Sequence, residues 1–280
     1  MTSISTATPG WLALRAPADD AARSTELARE LGRLLAARRA SAAAPLVLHD
    51  LGAGTGSMTR WLAPQLPGRQ RWVLRDGDAD IVEHLDLDAV VDADGSRIDA
   101  DVVVEDLAEL PREAFDGAAA VTASALLDVI TSAEAAHIVA ACVAAGTPAL
   151  FSLTVTGAVT LRPSARRDAV EHAISAAFDD HQRRDAEGRR MLGPDAVAAT
   201  AELFAAAGWH VRRGPTPWRL KGRDSALTTE WLDGWIDAAV EWRPELADDA
   251  EAYRRVRRAQ AASGRLRVMV SHEDLLAWPG

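Results

Sequence analysis

The segment Val47 to Gly56, VLHDLGAGTG, constrains this chain more than any other. After Pro45 comes LVLHDL, a short apolar run rich in strand formers, which ends on an acid and a leucine and passes at once into glycines at 52, 54 and 56. The following SMTRWLAPQL reads as a helix that Pro67 stops. Glycines permit a tight turn and let a ligand lie against the backbone, while a helix that follows offers unpaired N–H groups. The unit is strand, glycine turn, helix.

The alternation continues. WVLRD, DVVVED, AAAVTAS and PALFSLTV are strand candidates whose near-continuous apolarity suits a sheet buried on both faces, and the segments between them read as helices. One helix begins at Thr131, with Glu134 at the capping-box spacing, and stops at Gly146. Such alternation implies an α/β fold with a doubly wound parallel sheet. Before it, residues 20–39 carry Leu27, Leu31, Leu34 and Leu35 on one helical stripe. Past residue 155 the rhythm changes to a polar helical stretch (167–185), a helix ending near Gly208 and a strand-like WHVRR. Two helical segments (228–243 and 247–262) and a final strand, RLRVMVS, complete the chain. The expected organisation is an N-terminal helical cap (1–43), a core (44–224) with a helical insertion near 160–190, a second helical cap (225–263), and a closing strand and tail (264–280).

Acids stand where a nucleoside would need them. Asp50 lies at the end of the first strand; Asp76, twenty residues after Gly56, closes the second, where a carboxylate can accept both hydroxyls of a ribose; Asp106 ends the third in VVVEDLAELP. With these residues the chain resembles the class I S-adenosylmethionine-dependent methyltransferases, by motif over about residues 44–155. The resemblance implies a Rossmann-like core that binds S-adenosylmethionine and releases S-adenosylhomocysteine. By it, Gly52, Gly54 and Gly56 lie against the methionine part and Asp50 orients its amino group. Asp76 holds the ribose, Asp106 takes the adenine amino group, and Leu107 offers its backbone N–H to the ring. TASALLDVI looks like the family's fourth motif, whose strand, ending at Ser124, stops beside the transferable methyl group. A nicotinamide dehydrogenase fits less well. Ser57 stands where the third glycine of GxGxxG belongs, and Tyr253 is followed by RRVR, with no lysine four residues on.

Composition removes other classes. The lone lysine, Lys221, belongs to no Walker A loop, and the lone cysteine, Cys142, allows neither an internal disulfide nor a Cys-based zinc cluster, so a reducing cytoplasm is the expected home. No uninterrupted apolar window suits a membrane span, and MTSISTATPG has no basic region before an apolar stretch. A net charge of -10 disfavours nucleic acid as partner. Yet the charge is uneven: Asp76–Asp128 holds 16 acids against two arginines, while Gln182–Arg223 holds nine basic and four acidic residues. These are either solvated faces or walls for oppositely charged ligands.

Methyl transfer needs in-line positioning, and a base only if the acceptor is protonated. Asp128, four residues after Ser124, is a candidate acceptor-facing group or simply the start of a helical segment. His181, in FDDHQRRD, is a candidate base whose two preceding acids could raise its pKa, or an exposed helix residue. Trp231, Trp235 and Trp242 share a helical face that either packs as core or, with Trp231 and Trp235 foremost, stacks on an acceptor. Arg183 and Arg184, with Arg212, Arg213 and Arg219, could hold an anionic group. The scattered histidines suggest no metal site. The expected activity is methylation of a small molecule, anionic or aromatic; an RNA or protein methyltransferase and a non-catalytic cofactor-binding or regulatory domain are the alternatives. The sequence leaves the oligomeric state open.

Overall fold

The computed structural model describes residues 7–38, 44–164, 168–186 and 188–280; residues 1–6 and 39–43 of the expected N-terminal cap, and Arg167 at the start of the polar stretch, lie outside them. The N-terminal cap is two helices, α1 (Pro9–Ala22) and α2 (Thr25–Arg38), where one over 20–39 was expected. Pro9 sits in the first turn of α1, where its missing N–H costs nothing, and the helix breaks at Arg23, whose backbone turns to the extended region. Leu27, Leu31 and Leu35 of α2 are fully buried, each contributing about 1.5–3 kcal/mol of apolar transfer, an upper range for side chains of this size.

The apolar runs become β1 (Leu46–Leu51), β2 (Gln70–Asp76), β3 (Asp99–Val104), β4 (Ala120–Ser124) and β5 (Ala149–Arg162). Between them come α3 (Ser57–Leu62), α4 (Ala79–Val82) and α5 (Ser132–Ala145); α5 carries the full capping box of Thr131 and Glu134 and ends at Gly146 in the left-handed region. The chain then forms α6 (Asp168–Gln182), a short hairpin of β6 (Asp185–Ala186) and β7 (Arg189–Arg190), α7 (Ala196–Ala206), β8 (Trp209–Pro215) and β9 (Trp218–Leu220). Last come α8 (Ser225–Trp242), α9 (Ala247–Ala262) and β10 (Arg267–Pro279). The sheet order is β3-β2-β1-β4-β5-β10-β8, with β9 also on β10. β1 to β5 pair in parallel, and β10 enters antiparallel between β5 and β8. This is the doubly wound α/β sheet expected, with its last strand reversed.

Three expectations fail locally. The β2–β3 connection holds only the four-residue α4, and β3–β4 only a 3-10 turn, Leu107–Glu109, so the outer sheet lacks helical cover. As a result DVVVED is an exposed edge strand, with Val102 and Val104 47% and 51% exposed, rather than a strand buried on both faces. β5 and β10 extend well beyond the strands read from sequence and form a long antiparallel ribbon, bulged between Val270 and His272 and between Glu273 and Leu275. On that ribbon α1, α6, α8 and α9 build a further apolar core, apart from the two on the faces of the sheet, around Leu161, Ile174, Trp218, Leu232, Trp235 and Tyr253.

Asp274 locks the ribbon to the cap. Fully buried, it accepts the N–H of Ser24 at the α1–α2 joint (2.8 Å), the N–H of Leu153 (2.8 Å) and the hydroxyl of Thr216 (2.8 Å). Leu153 has φ 56°, a left-handed conformation rare for leucine, held here by that carboxylate.

Candidate cofactor and acceptor site

Strand order reverses between β1 and β4, and in an open α/β sheet the crevice beyond the carboxyl ends of such strands is where ligands bind. The glycine loop lies there. Gly52, Gly54 and Gly56 all have positive φ (60°, 53° and 79°), and a Cβ on them would stand about 3 Å from Leu126, from Leu12 and from Leu85 and Leu87, so both conformation and space demand glycine. The N–H of Gly54 donates to Asp76 Oδ2 at 2.7 Å, and the N–H of Asp78 to Asp76 Oδ1 at 3.0 Å. The carboxylate at the end of β2 is thereby fixed against the loop while still half-exposed.

The other acids play different parts. Asp50 is fully buried, its oxygens taken by the hydroxyls of Thr59 (3.0 Å) and Thr122 (2.8 Å), and burial pushes its carboxyl up to about 6. It ties β1, α3 and β4 together through the Thr59 and Thr122 hydroxyls. Asp106 is exposed and accepts the N–H of Ala108 at 2.9 Å, capping the 3-10 turn that begins with the buried Leu107.

Arg23 is the residue the sequence did not reveal, since nothing in its neighbourhood marks it as buried. It is only 3% exposed, and its Nη2 donates to Ser57 Oγ (2.8 Å) after the loop and to Ser124 Oγ (3.1 Å) at the end of β4; its Nη1 donates to Asp20 (2.6 Å). The guanidinium lies over the Trp61 ring, 5.7 Å from its centroid, and its Nε is enclosed without a partner among the described residues. With Leu12 against Gly54, this arginine lays α1 across the crevice.

On α1 itself, Arg15 pairs with Asp19 (2.8 Å) and lies over Trp218, whose indole N–H donates to Asp19 (2.9 Å). His272, buried against Trp218, is held down to about 4 by burial and by Arg15. Asp128 as a whole is half-buried, but its Oδ1 is enclosed and without a partner; burial pushes its carboxyl up to about 6, against the pull of Arg15.

The residues expected on the acceptor side are largely engaged with each other. Arg183 forms a two-pronged pair with Asp195 (2.6 and 2.9 Å), Arg212 pairs with Glu26 and Arg213 with Glu273. Arg184 donates to the carbonyl of His181 at 3.0 Å and approaches its Nδ1 at 3.3 Å. His181 is half-buried, 3.4 Å from Glu241, and its pKa moves down, through burial and the positive Arg184, rather than up as its two preceding acids suggested. Trp231 and Trp235 stack at 5.4 Å, with Trp235 2% exposed in the cap core, whereas Trp242 of the same expected face is 45% exposed.

Fold and site together define a doubly wound α/β domain whose glycine loop and strand-end acid, Asp76, meet at the switch point beside a helical cap. No family model and no curated protein matches the chain. Among solved structures it is similar to the cyclopropane synthase MmaA2 from Mycobacterium tuberculosis, 15% identical, covering 89% of this chain and 82% of that one with a TM-score of 0.44. It is also similar to an S-adenosylmethionine-dependent methyltransferase from Geobacter sulfurreducens in complex with S-adenosyl-L-homocysteine (15% identity, 98% and 99% covered, TM-score 0.43). A third is an S-adenosylmethionine-dependent methyltransferase from Thiobacillus denitrificans, likewise in complex with S-adenosyl-L-homocysteine (15%, 96% and 98%, TM-score 0.43).

Proposed function

We propose that this chain is an S-adenosylmethionine-dependent methyltransferase that acts on a small-molecule acceptor. The observation that carries this is the Gly54–Asp76 contact: a backbone cradle that no side chain could occupy, with a half-exposed carboxylate of the neighbouring strand fixed at its rim. The donor set suits the cofactor. Asp76 accepts ribose hydroxyls; Asp106 and the N–H of Leu107 face the adenine; Arg23, steadied by Ser57 and Ser124, supplies a cation for the amino-acid carboxylate. Asp50 acts at one remove, by holding the end of β1. When bound, S-adenosylmethionine supplies a methyl group on a positively charged sulfur, ready for displacement.

The chain's own work is then to align an acceptor and keep water out. Helices 9–38, 168–182 and 225–262 form the cover under which an acceptor would sit. An anionic acceptor loses its main support, because Arg183 already has Asp195 as partner. Calorimetry on metal-free protein tests the reading: S-adenosylmethionine and S-adenosylhomocysteine are expected to bind at micromolar level and NAD not at all. Binding of NAD, or of neither sulfur ligand, overturns it.

A further inference from the structure

Among the described residues, the enclosed side-chain oxygens without a hydrogen-bond partner include Asp128 Oδ1, Gln182 Oε1 and Asp179 Oδ1. The fold sets them along one seam. Asp128 belongs to the 3-10 turn Leu127–Val129 that follows β4, and this turn packs on β5 and on the 3-10 turn Gly193–Asp195. Gly193 is pressed on Gln182, for a Cβ there would stand 3.1 Å from the Gln182 Cβ. Three residues earlier on the same helix, and therefore on the same face, Asp179 meets Gly157 of β5, where a Cβ would stand 2.8 Å from its Oδ2. Glycine at 157 thus leaves room for the Asp179 carboxylate, and glycine at 193 for the backbone and Cβ of Gln182. A buried carboxylate oxygen without a donor costs free energy on the order of 1–3 kcal/mol or more, and such groups persist where a ligand completes them.

We infer that the methyl acceptor is an amine whose N–H groups are received by Asp128, with the rest of the molecule lying along the α6 flank at Gln182 and Asp179. The inference rests on the methyltransferase reading above. An amine supplies what these oxygens lack, since ammonium and amine nitrogens donate and a carboxylate can only accept. A carboxylate or phosphate would bring more acceptors and repulsion. In the transfer, the lone pair of the neutral amine forms the new N–C bond, the C–S bond breaks with its electron pair left on sulfur, and the proton of the resulting ammonium passes to the carboxylate of Asp128.

The test uses benzylamine, benzyl alcohol and benzoate, probes of similar shape, titrated by ligand-observed NMR into the full chain saturated with S-adenosylhomocysteine. Benzylamine is expected to bind at least tenfold more tightly than benzoate, and Asp128→Asn to remove that preference. Removing an unsatisfied charge should leave the melting temperature unchanged or higher, and Gln182→Met gives a second variant that should weaken benzylamine several-fold. Equal or tighter binding of benzoate, no benzylamine binding, or benzylamine binding indifferent to both substitutions overturns the amine assignment. Benzylamine binding at Asp128 in a protein that takes up no S-adenosylhomocysteine would instead sink the methyltransferase reading and leave the amine site standing.

Discussion

At the scale of single residues, the site divides into groups that hold the fold and groups left over for a ligand. Asp50 and Asp274 look alike in sequence to any binding acid, yet all their oxygens are consumed by protein donors. Arg23, by contrast, leaves Nε enclosed and without a partner among the described residues. If it grips the carboxylate of the cofactor, Arg23→Ala should weaken S-adenosylhomocysteine by about 1.5–3 kcal/mol, the usual worth of a hydrogen bond to a charged group. Affinity for 5′-methylthioadenosine, which has no carboxylate, should stay within about twofold; equal losses for both would make the arginine purely structural. His272 gives a pH test. Its pKa is lowered from the ordinary 6.5 to about 4, so the fold keeps it neutral while the unfolded chain takes up a proton as the pH falls through 6.5. Its contribution is therefore complete above pH 6.5 and lost progressively down to about pH 4. Compared with His272→Gln by urea denaturation, the wild type should lose up to about 3 kcal/mol of relative stability over that window. Asp50 and Asp128, raised to about 6, change in the opposite sense but in both proteins alike, and so cancel from the difference. A difference flat from pH 7 to 4 would mean that His272 takes up its proton in the fold as it does in the unfolded chain.

At the scale of elements, Asp274 is the pin between β10, β5 and the joint of α1 and α2. Asp274→Ala leaves the N–H groups of Ser24 and Leu153 without their acceptor, and is expected to cost about 2–4 kcal/mol in chemical denaturation. An unchanged midpoint would show that water or a shifted backbone replaces the carboxylate. What the sequence made legible were elements with strong local rules: the capping box at Thr131, the glycine turn after β1 and the apolar strands at its sides. The reversed β10 sits between β5 and β8, so its length depends on pairing with distant strands, β5 over a hundred residues earlier, which no local pattern records. α1 was missed because Pro17 lies inside it, a residue that usually argues against a helix, and Arg23 went with it. The exposed Val102 and Val104 misled for the converse reason: apolarity suggested cover, while the short β2–β3 connection supplies none. Likewise Arg183 looked available in sequence only because Asp195, twelve residues away, had no visible tie to it.

At the scale of the whole molecule, the described residues form three apolar cores, one on each face of the sheet and one in the cap. Sheet residues such as Leu48, Leu51 and Phe151 fill the cores on either face of the sheet, whereas Trp11 and Leu14 of α1 pack into the cap core with Trp218 and Trp235. Arg23 is attached to the cap by sequence and to the sheet by Ser57 and Ser124. A ligand that engages Asp76 at one end and Arg23 at the other would couple the cap core to the sheet, since opening the cap would then require breaking its contacts as well. Hydrogen exchange reads such coupling directly, because local opening free energies rise with whatever binds only the closed form. Saturating S-adenosylhomocysteine should slow exchange in the glycine loop and the end of β2, and also in α1, whose residues 9–22 lie across the crevice. 5′-Methylthioadenosine should protect the loop and β2 but leave α1 near its free rate, and Arg23→Ala should make the two ligands alike. If α1 is protected equally by both, the helix closes on the nucleoside through Leu12 at Gly54 instead of on the carboxylate through Arg23. If neither ligand slows it, α1 is fixed by the cap core alone and takes no part in holding the cofactor.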